Sequence, residues 1–163
     1  MSDVRWLRRT VRRLRPDDYV VLLSLGALYW RTGVLVEGYV EDDGTDKRAR
    51  EYCREQFTLE QRTASQERLM RTVSYWTRAL DLAGLDDLAK ARTISSLGQI
   101  YYLMQWCPDL DEPDMLRKSV EANDRARELD PTNPAWPFRS GRLAHNLFEV
   151  LRDRSAGPSL EAA

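Results

Sequence analysis

The chain has 163 residues, of which 42% are hydrophobic and 31% are charged, and its formal net charge is -1. This length and composition predict one globular domain and exclude an intrinsically disordered chain. The longest apolar stretch, residues 19–29, is shorter than the roughly 20 residues that cross a bilayer, which excludes an integral membrane protein. Because the N-terminal segment is studded with arginines and has no apolar h-region of its own, we expect no secretory signal. Cys53 and Cys107 are far apart and form no metal-ligand cluster, so we expect a reducing, cytoplasmic location.

The basic charge is concentrated at the start of the chain. Residues 1–15 contain six arginines and one aspartate, a net charge of +5, so the rest of the chain carries -6. Apolar residues recur at helical spacing among these arginines, which predicts an amphipathic basic arm. Such an arm suits an acidic protein, an anionic membrane or nucleic acid, or it packs on the domain with its arginines in water. Its candidate contact residues are Arg5, Arg8, Arg9, Arg12 and Arg13.

Nucleic acid is a poor partner for the rest of the chain, because an acidic surface repels phosphate. Only three basic residues are lysines, and this preference for arginine is typical of GC-rich bacterial genomes.

The first half of the chain predicts helices. Pro16-Asp17-Asp18 is a helix-start pattern, and Gly33 ends that helix. We expect a short helix over 34–41, a turn at 42–45 and a weakly patterned helix over 47–56.

The second half predicts four more helices. Thr58-Leu59-Glu60-Gln61 is a capping box that starts a helix ending near Ala83, with Gly84 as the stop. Asp86-Asp87 starts the next helix, which runs to about Trp106. The remaining two begin at Pro113 and after Asn133-Pro134. We therefore expect an all-α fold with an arm at 1–15, a helical domain at 16–152 and a flexible tail at 153–163.

A short pattern occurs twice. Leu25-Gly26-Ala27-Leu28-Tyr29 recurs as Leu97-Gly98-Gln99-Ile100-Tyr101. A glycine in the middle of a helix costs about 1 kcal/mol relative to alanine. Two such glycines therefore predict that neighbouring helices approach closely at Gly26 and Gly98.

This pattern resembles the first helix of the tetratricopeptide repeat (TPR). Ser119, Ala126 and Pro131 are similar to the small and proline positions of the second TPR helix, and Gly141 stands where a third copy would place its glycine. The resemblance implies stacked antiparallel helical hairpins, a fragment of a right-handed α-solenoid. Another helical bundle is the alternative.

The spacing departs from the family. Ordinary repeats have about 34 residues, whereas 43 residues separate Gly98 from Gly141, which implies an inserted loop near 107–113. In addition, Ser140 and Ala144 replace the leucine and the aromatic of the pattern. With fewer than three complete repeats, a terminal face stays uncapped, so we expect self-association or packing on a partner.

The resemblance implies an adaptor or scaffold that binds a partner protein or peptide in a concave groove. Counting from each glycine, the groove residues are Trp30, Arg31, Arg92, Gln99, Tyr102, Arg142 and His145. Aromatic rings and guanidinium groups suit an acidic partner. The alternative is that Trp30 and Tyr102 pack between helices and the arginines are solvated. The family's carboxylate clamp is not reproduced, because Ala27 and Gln99 stand where asparagine is expected.

We expect no enzymatic activity, cofactor or metal. Arg139 and His145 resemble the Arg-x(4–6)-His motif of the HEPN ribonucleases, which is the enzymatic alternative, although the spacing alone is a weak signal. The acids at 109–114 and at 42–43 are interpreted as solvated loops, with weak cation binding as the alternative. Cys53 and Cys107 are interpreted as small hydrophobic residues.

Overall fold

The structure, a computed structural model, describes residues 18–33, 57–104 and 112–155. These residues form five α-helices and contain no strand, which confirms the all-α prediction. The helices are α1 (Tyr19–Gly33), α2 (Leu59–Asp81), α3 (Asp87–Met104), α4 (Glu112–Leu129) and α5 (Ala135–Ser155). The basic arm, the predicted helices over 34–41 and 47–56, and the turn between them lie outside the described residues.

Side-chain caps mark the predicted helix starts. Thr58 and Gln61 form the reciprocal capping box, in which the Gln61 amide N–H donates to Thr58 Oγ1 at 3.2 Å and the Thr58 N–H donates to Gln61 Oε1 at 2.8 Å. Carboxylate or amide oxygens of Asp18, Asp86 and Asn133 accept backbone N–H groups at the starts of α1, α3 and α5. These oxygens satisfy donors that a helix leaves unpaired in its first turn.

Helix ends differ from the predictions by a few residues. α2 ends at Asp81, two residues before the predicted Ala83, and Gly84 adopts a φ of 114° in the turn that follows. α5 continues to Ser155, so the predicted flexible tail begins with helical residues. An ion pair between Arg152 and Glu149, with an N–O distance of 2.5 Å, and a hydrogen bond from Ser155 to the Leu151 carbonyl support this last turn.

α1 and α2 form an antiparallel hairpin in which Trp76 of α2 packs against Gly26 of α1. The indole of Trp76 fills the space where a Cβ at Gly26 would stand, and its Nε1 donates to the Leu23 carbonyl at 3.0 Å. The Trp76 ring also stacks on Trp30, with ring centroids 5.6 Å apart. A large aromatic side chain therefore takes the place of the missing methyl group.

α3 and α4 form a second antiparallel hairpin in which α4 lies close to Gly98 of α3. A Cβ at Gly98 would lie 3.3 Å from the Cβ of Ala122 and 3.3 Å from the carbonyl oxygen of Ser119. The prediction that Gly26 and Gly98 lie at close helix contacts is confirmed.

Hydroxyl groups of the second helix donate to glycine carbonyls in both hairpins. Thr72 donates to the Gly26 carbonyl at 3.2 Å, Ser119 donates to the Gly98 carbonyl at 2.8 Å, and Ser65 donates to the Gly33 carbonyl. All three hydroxyl-bearing residues are buried. Each buried hydroxyl is thereby satisfied, since a carbonyl oxygen has a second lone pair beyond its helical hydrogen bond.

The apolar core connects the hairpins. Leu69 of α2 packs with Ile100 and Met104 of α3, and Leu80 of α2 packs against Ala91 and Ile94 near the opposite end of α3. The hairpins are therefore joined through α2 and α3.

α5 packs on the second hairpin. Leu143 and Val150 cluster with Leu116 of α4 and Tyr102 of α3, while Trp136 packs against Ala126. These contacts place α5 antiparallel to α4. Gly141 does not repeat the part of the other two glycines, because it is exposed and no described atom lies within 4 Å of its Cβ position. Gly141 thus stands at the glycine position of a third copy without a helix contact, because this side of α5 faces away from α3 and α4.

Candidate functional site

The two groove residues predicted on α1 have different surroundings. Trp30 is half-buried, stacks on Trp76 and packs against the core cluster that contains Leu69. Arg31 is exposed at the end of α1. The Trp30 ring is thus engaged in packing between helices, the alternative that the sequence left open for it.

The predicted residues of α3 share one side of that helix. Arg92, Gln99 and Tyr102 recur at spacings that place them, together with Ser95, on the face toward α5. Arg92 and Gln99 are exposed, whereas Tyr102 is 8% exposed. Tyr102 therefore forms a nearly buried floor between exposed polar residues.

α5 contributes residues that contact this side of α3. The guanidinium carbon of Arg142 lies 5.9 Å from the centre of the Tyr102 ring, and Asn146 Nδ2 donates to the Tyr102 hydroxyl at 3.3 Å. Arg139 Nη1 donates to Ser95 Oγ at 2.9 Å, and its guanidinium carbon lies 5.3 Å from the Trp136 ring. A cation over an aromatic ring gains electrostatic attraction from the ring quadrupole. We refer to this surface as the α3/α5 face; its residues are Arg92, Ser95, Gln99, Tyr102, Arg139, Arg142 and Asn146.

The α3/α5 face is basic. Three of its residues are arginines, whereas α3 has no acidic residue after Asp87 and the first acidic residue of α5 is Glu149. Glu149 is itself paired with Arg152. The three guanidinium groups of this face favour an anionic ligand group.

His145 and Arg139 lie on different sides of α5. Six residues of an α-helix rotate through about 600°, which leaves the two side chains about 120° apart. His145 is exposed, whereas Arg139 is half-buried with its guanidinium group donating to Ser95. The ribonuclease alternative requires both side chains to act on one phosphate, and it stays a prediction.

Sequence reasoning missed Ser95 and Asn146 and placed Arg139 only in the ribonuclease alternative. The offsets from each glycine selected Arg142 and His145 on α5 but not the contact face itself. The spacing of Arg139, Arg142 and Asn146, three and then four residues apart, is the signal that would have identified them as one side of a helix.

The described residues contain no other candidate centre. No three His, Cys, Asp or Glu side chains among them converge on a possible metal site. Asp114 of the acidic segment pairs with Lys118, with an O–N distance of 2.7 Å, and both cysteines lie outside the described residues. In the part of the chain that the structure describes, no helix has the length and apolar character needed to cross a bilayer.

Comparison with protein-family models, with curated proteins and with solved structures finds no match to this chain in any of the three.

Proposed function

We propose that the chain is a TPR-like interaction module that binds an acidic segment of a partner protein along the α3/α5 face. The observation that carries this proposal is the arrangement of two arginines of α5 toward α3, with Arg142 over the Tyr102 ring and Arg139 donating to Ser95. Guanidinium groups held in place by neighbouring side chains lose little conformational entropy when they bind a carboxylate.

The helix arrangement supports a repeat module. Both hairpins are antiparallel, and in both a glycine of the repeated pattern packs against the second helix. α5 then packs beside α3 and leaves the line between these two helices open to solvent at Arg92, Gln99 and Arg142. An extended peptide laid along this line meets side chains from both helices.

Charge reversal on the α3/α5 face tests the proposal. Partners are captured from the native cell by the wild-type chain and identified by mass spectrometry. The affinity of the chain for a labelled peptide of the partner's acidic segment is then measured by fluorescence anisotropy. We expect Arg142→Glu to weaken binding of that segment at least about tenfold, which corresponds to about 1.4 kcal/mol. We also expect the affinity to fall as salt is added, because exposed charges are screened.

The matched control is Arg125→Glu, which reverses an exposed arginine on α4. Arg125→Glu changes the net charge by the same amount as Arg142→Glu, but Arg125 lies away from the α3/α5 face. Equal loss of binding in the two variants would attribute the effect to net charge, and an unchanged affinity in Arg142→Glu would refute the site.

A further inference from the structure

α5 has a second face, which the described residues leave uncovered. Pro137, Gly141, Ala144, Phe148 and Leu151 recur at alternating spacings of four and three residues and are all exposed. Phe148 is 61% exposed and Leu151 is 39% exposed. We call this the outer stripe. It is distinct from the α3/α5 face, which lies on another side of the same helix.

α1 has a face with the same residue spacing, and there another helix covers it. The buried residues of α1 are Leu22, Gly26, Tyr29 and Gly33, which are four, three and four residues apart, and α2 packs on them. The outer stripe therefore has the pattern of a helix face that receives another helix.

The outer stripe is complementary to itself. Its first half is small, with Gly141 leaving open space within 4 Å of its Cβ position, and its second half carries the large side chains of Phe148 and Leu151. Two copies of α5 in antiparallel orientation, related by a two-fold axis near Ala144, place Phe148 of each copy against the partner's Gly141. The same axis places Leu151 against the partner's Pro137. An isologous contact of this kind requires one self-complementary surface.

We propose that two copies of this chain associate through the outer stripe of α5, with Phe148 of each copy seated at the other copy's Gly141. The area limits the strength of this contact. Phe148 exposes about 120 Å², taking about 200 Å² for a whole aromatic side chain. One helix from each copy buries less than the roughly 1,200 Å² at the lower end of stable interfaces. The expected dimer is therefore weak, forms at high protein concentration and dissociates on dilution.

Sedimentation velocity over a range of concentrations, from low micromolar to several hundred micromolar, tests the association. We expect the wild-type chain to shift from monomer to dimer and Phe148→Glu to remain monomeric. Met70→Glu is the matched control, because Met70 is an exposed apolar residue of α2, at 48% exposure, and lies away from the outer stripe. A wild-type chain that stays monomeric throughout, as it would if another protein covered the stripe, overturns the proposal, and so does equal dissociation in both variants.

Gly141→Leu tests the same contact without placing a charge on the surface. The added side chain meets no described atom of the monomer within 4 Å at its Cβ, so circular dichroism is expected to remain helical. It fills the space that the partner's Phe148 requires, and we expect dimerisation to be lost. Undiminished dimerisation in this variant would refute the seating of Phe148.

The orientation of the two helices is tested by crosslinking at the axis. With Cys53 and Cys107 replaced by serine, Ala144→Cys is expected to crosslink efficiently between copies through a short bismaleimide, whereas Met70→Cys is not. Crosslinking that is no stronger at position 144 than at position 70 would refute the two-fold axis. All three experiments use the chain alone and are therefore independent of the proposed binding of an acidic partner.

Discussion

A glycine-to-alanine series at positions 26, 98 and 141 separates helix propensity from helix packing. The three glycines occupy helix interiors but have different surroundings. Gly26 lies against the Trp76 indole, Gly98 lies against α4, and Gly141 has open space at its Cβ position. The same chemical change therefore gains the same propensity, about 1 kcal/mol, and costs a different amount of packing at each position.

The magnitudes follow from these surroundings. At Gly141 nothing opposes the gain, so Gly141→Ala is expected to raise the free energy of unfolding by about 1 kcal/mol. At Gly98 the new methyl lies 3.3 Å from Ala122 Cβ, so α3 and α4 must separate by a few tenths of an ångström. The resulting strain of about 1–2 kcal/mol offsets the gain, leaving a net effect between zero and a loss of about 1 kcal/mol.

At Gly26 the new methyl overlaps the Trp76 indole, which must move away. Movement of the indole breaks its hydrogen bond to the Leu23 carbonyl and its stacking on Trp30. Each contact is worth about 1 kcal/mol, and overpacking adds about 1–3 kcal/mol. After the gain in propensity of about 1 kcal/mol, the expected net loss is about 2–4 kcal/mol.

Urea denaturation followed by circular dichroism measures the three values, at a protein concentration low enough for the chain to be monomeric. Thermal midpoints should follow the same order, with about 2–4 °C for each kcal/mol. The decisive control is a double-mutant cycle: in a Trp76→Ala background the overlap is gone, and Gly26→Ala should become stabilising. Stabilisation by Gly26→Ala in the wild-type background would refute the close approach of α1 and α2.

Two further predictions concern the α2 cap and the alkaline range. Thr58→Ala is expected to lower the free energy of unfolding by about 1 kcal/mol, while Thr58→Ser retains the value; urea denaturation of both variants checks this. Burial raises the pKa of Tyr101, and the hydrogen bond to Asp114 raises the pKa of Lys118. Both groups hold their protons more strongly in the folded state than in the unfolded state. Their contribution to the free energy of unfolding is therefore complete below about pH 10 and is lost as the pH rises through their folded-state pKa values. Denaturation at a series of alkaline pH values should show this loss, with a smaller slope in Tyr101→Phe.

The described helices were largely predictable because their starts depend on local chemistry. The side-chain oxygens of Thr58 and Gln61 each accept the other residue's backbone N–H. This pattern needs only four consecutive residues and no distant contact. Helix ends were less predictable, since α5 extends to Ser155 with the help of the Arg152–Glu149 pair. Such pairs contribute a few tenths of a kcal/mol and leave little trace in the hydrophobic pattern.

The surroundings of individual side chains were the least predictable feature. Trp30 and Tyr102 occupy similar positions relative to their glycines, yet Trp30 stacks inside the first hairpin while Tyr102 lies under Arg142. The difference arises from which residue the neighbouring helix supplies, Trp76 in one case and Arg142 in the other. A repeated motif within one helix contains no information about that partner, which is determined by contacts between residues at least 40 positions apart.

The hydroxyl groups of Ser65, Thr72 and Ser119 have a consequence for how the hairpins can be rearranged. Contacts between small apolar residues are non-directional and allow one helix to shift along another. A hydrogen bond from a hydroxyl group is directional and opposes such a shift. Displacing α2 along α1 by a single turn, about 5.4 Å, would break the hydrogen bonds from Ser65 to Gly33 and from Thr72 to Gly26, at about 1 kcal/mol each. The hydroxyl groups therefore fix the axial register of each helix pair, so that the two helices of a hairpin move together as a unit.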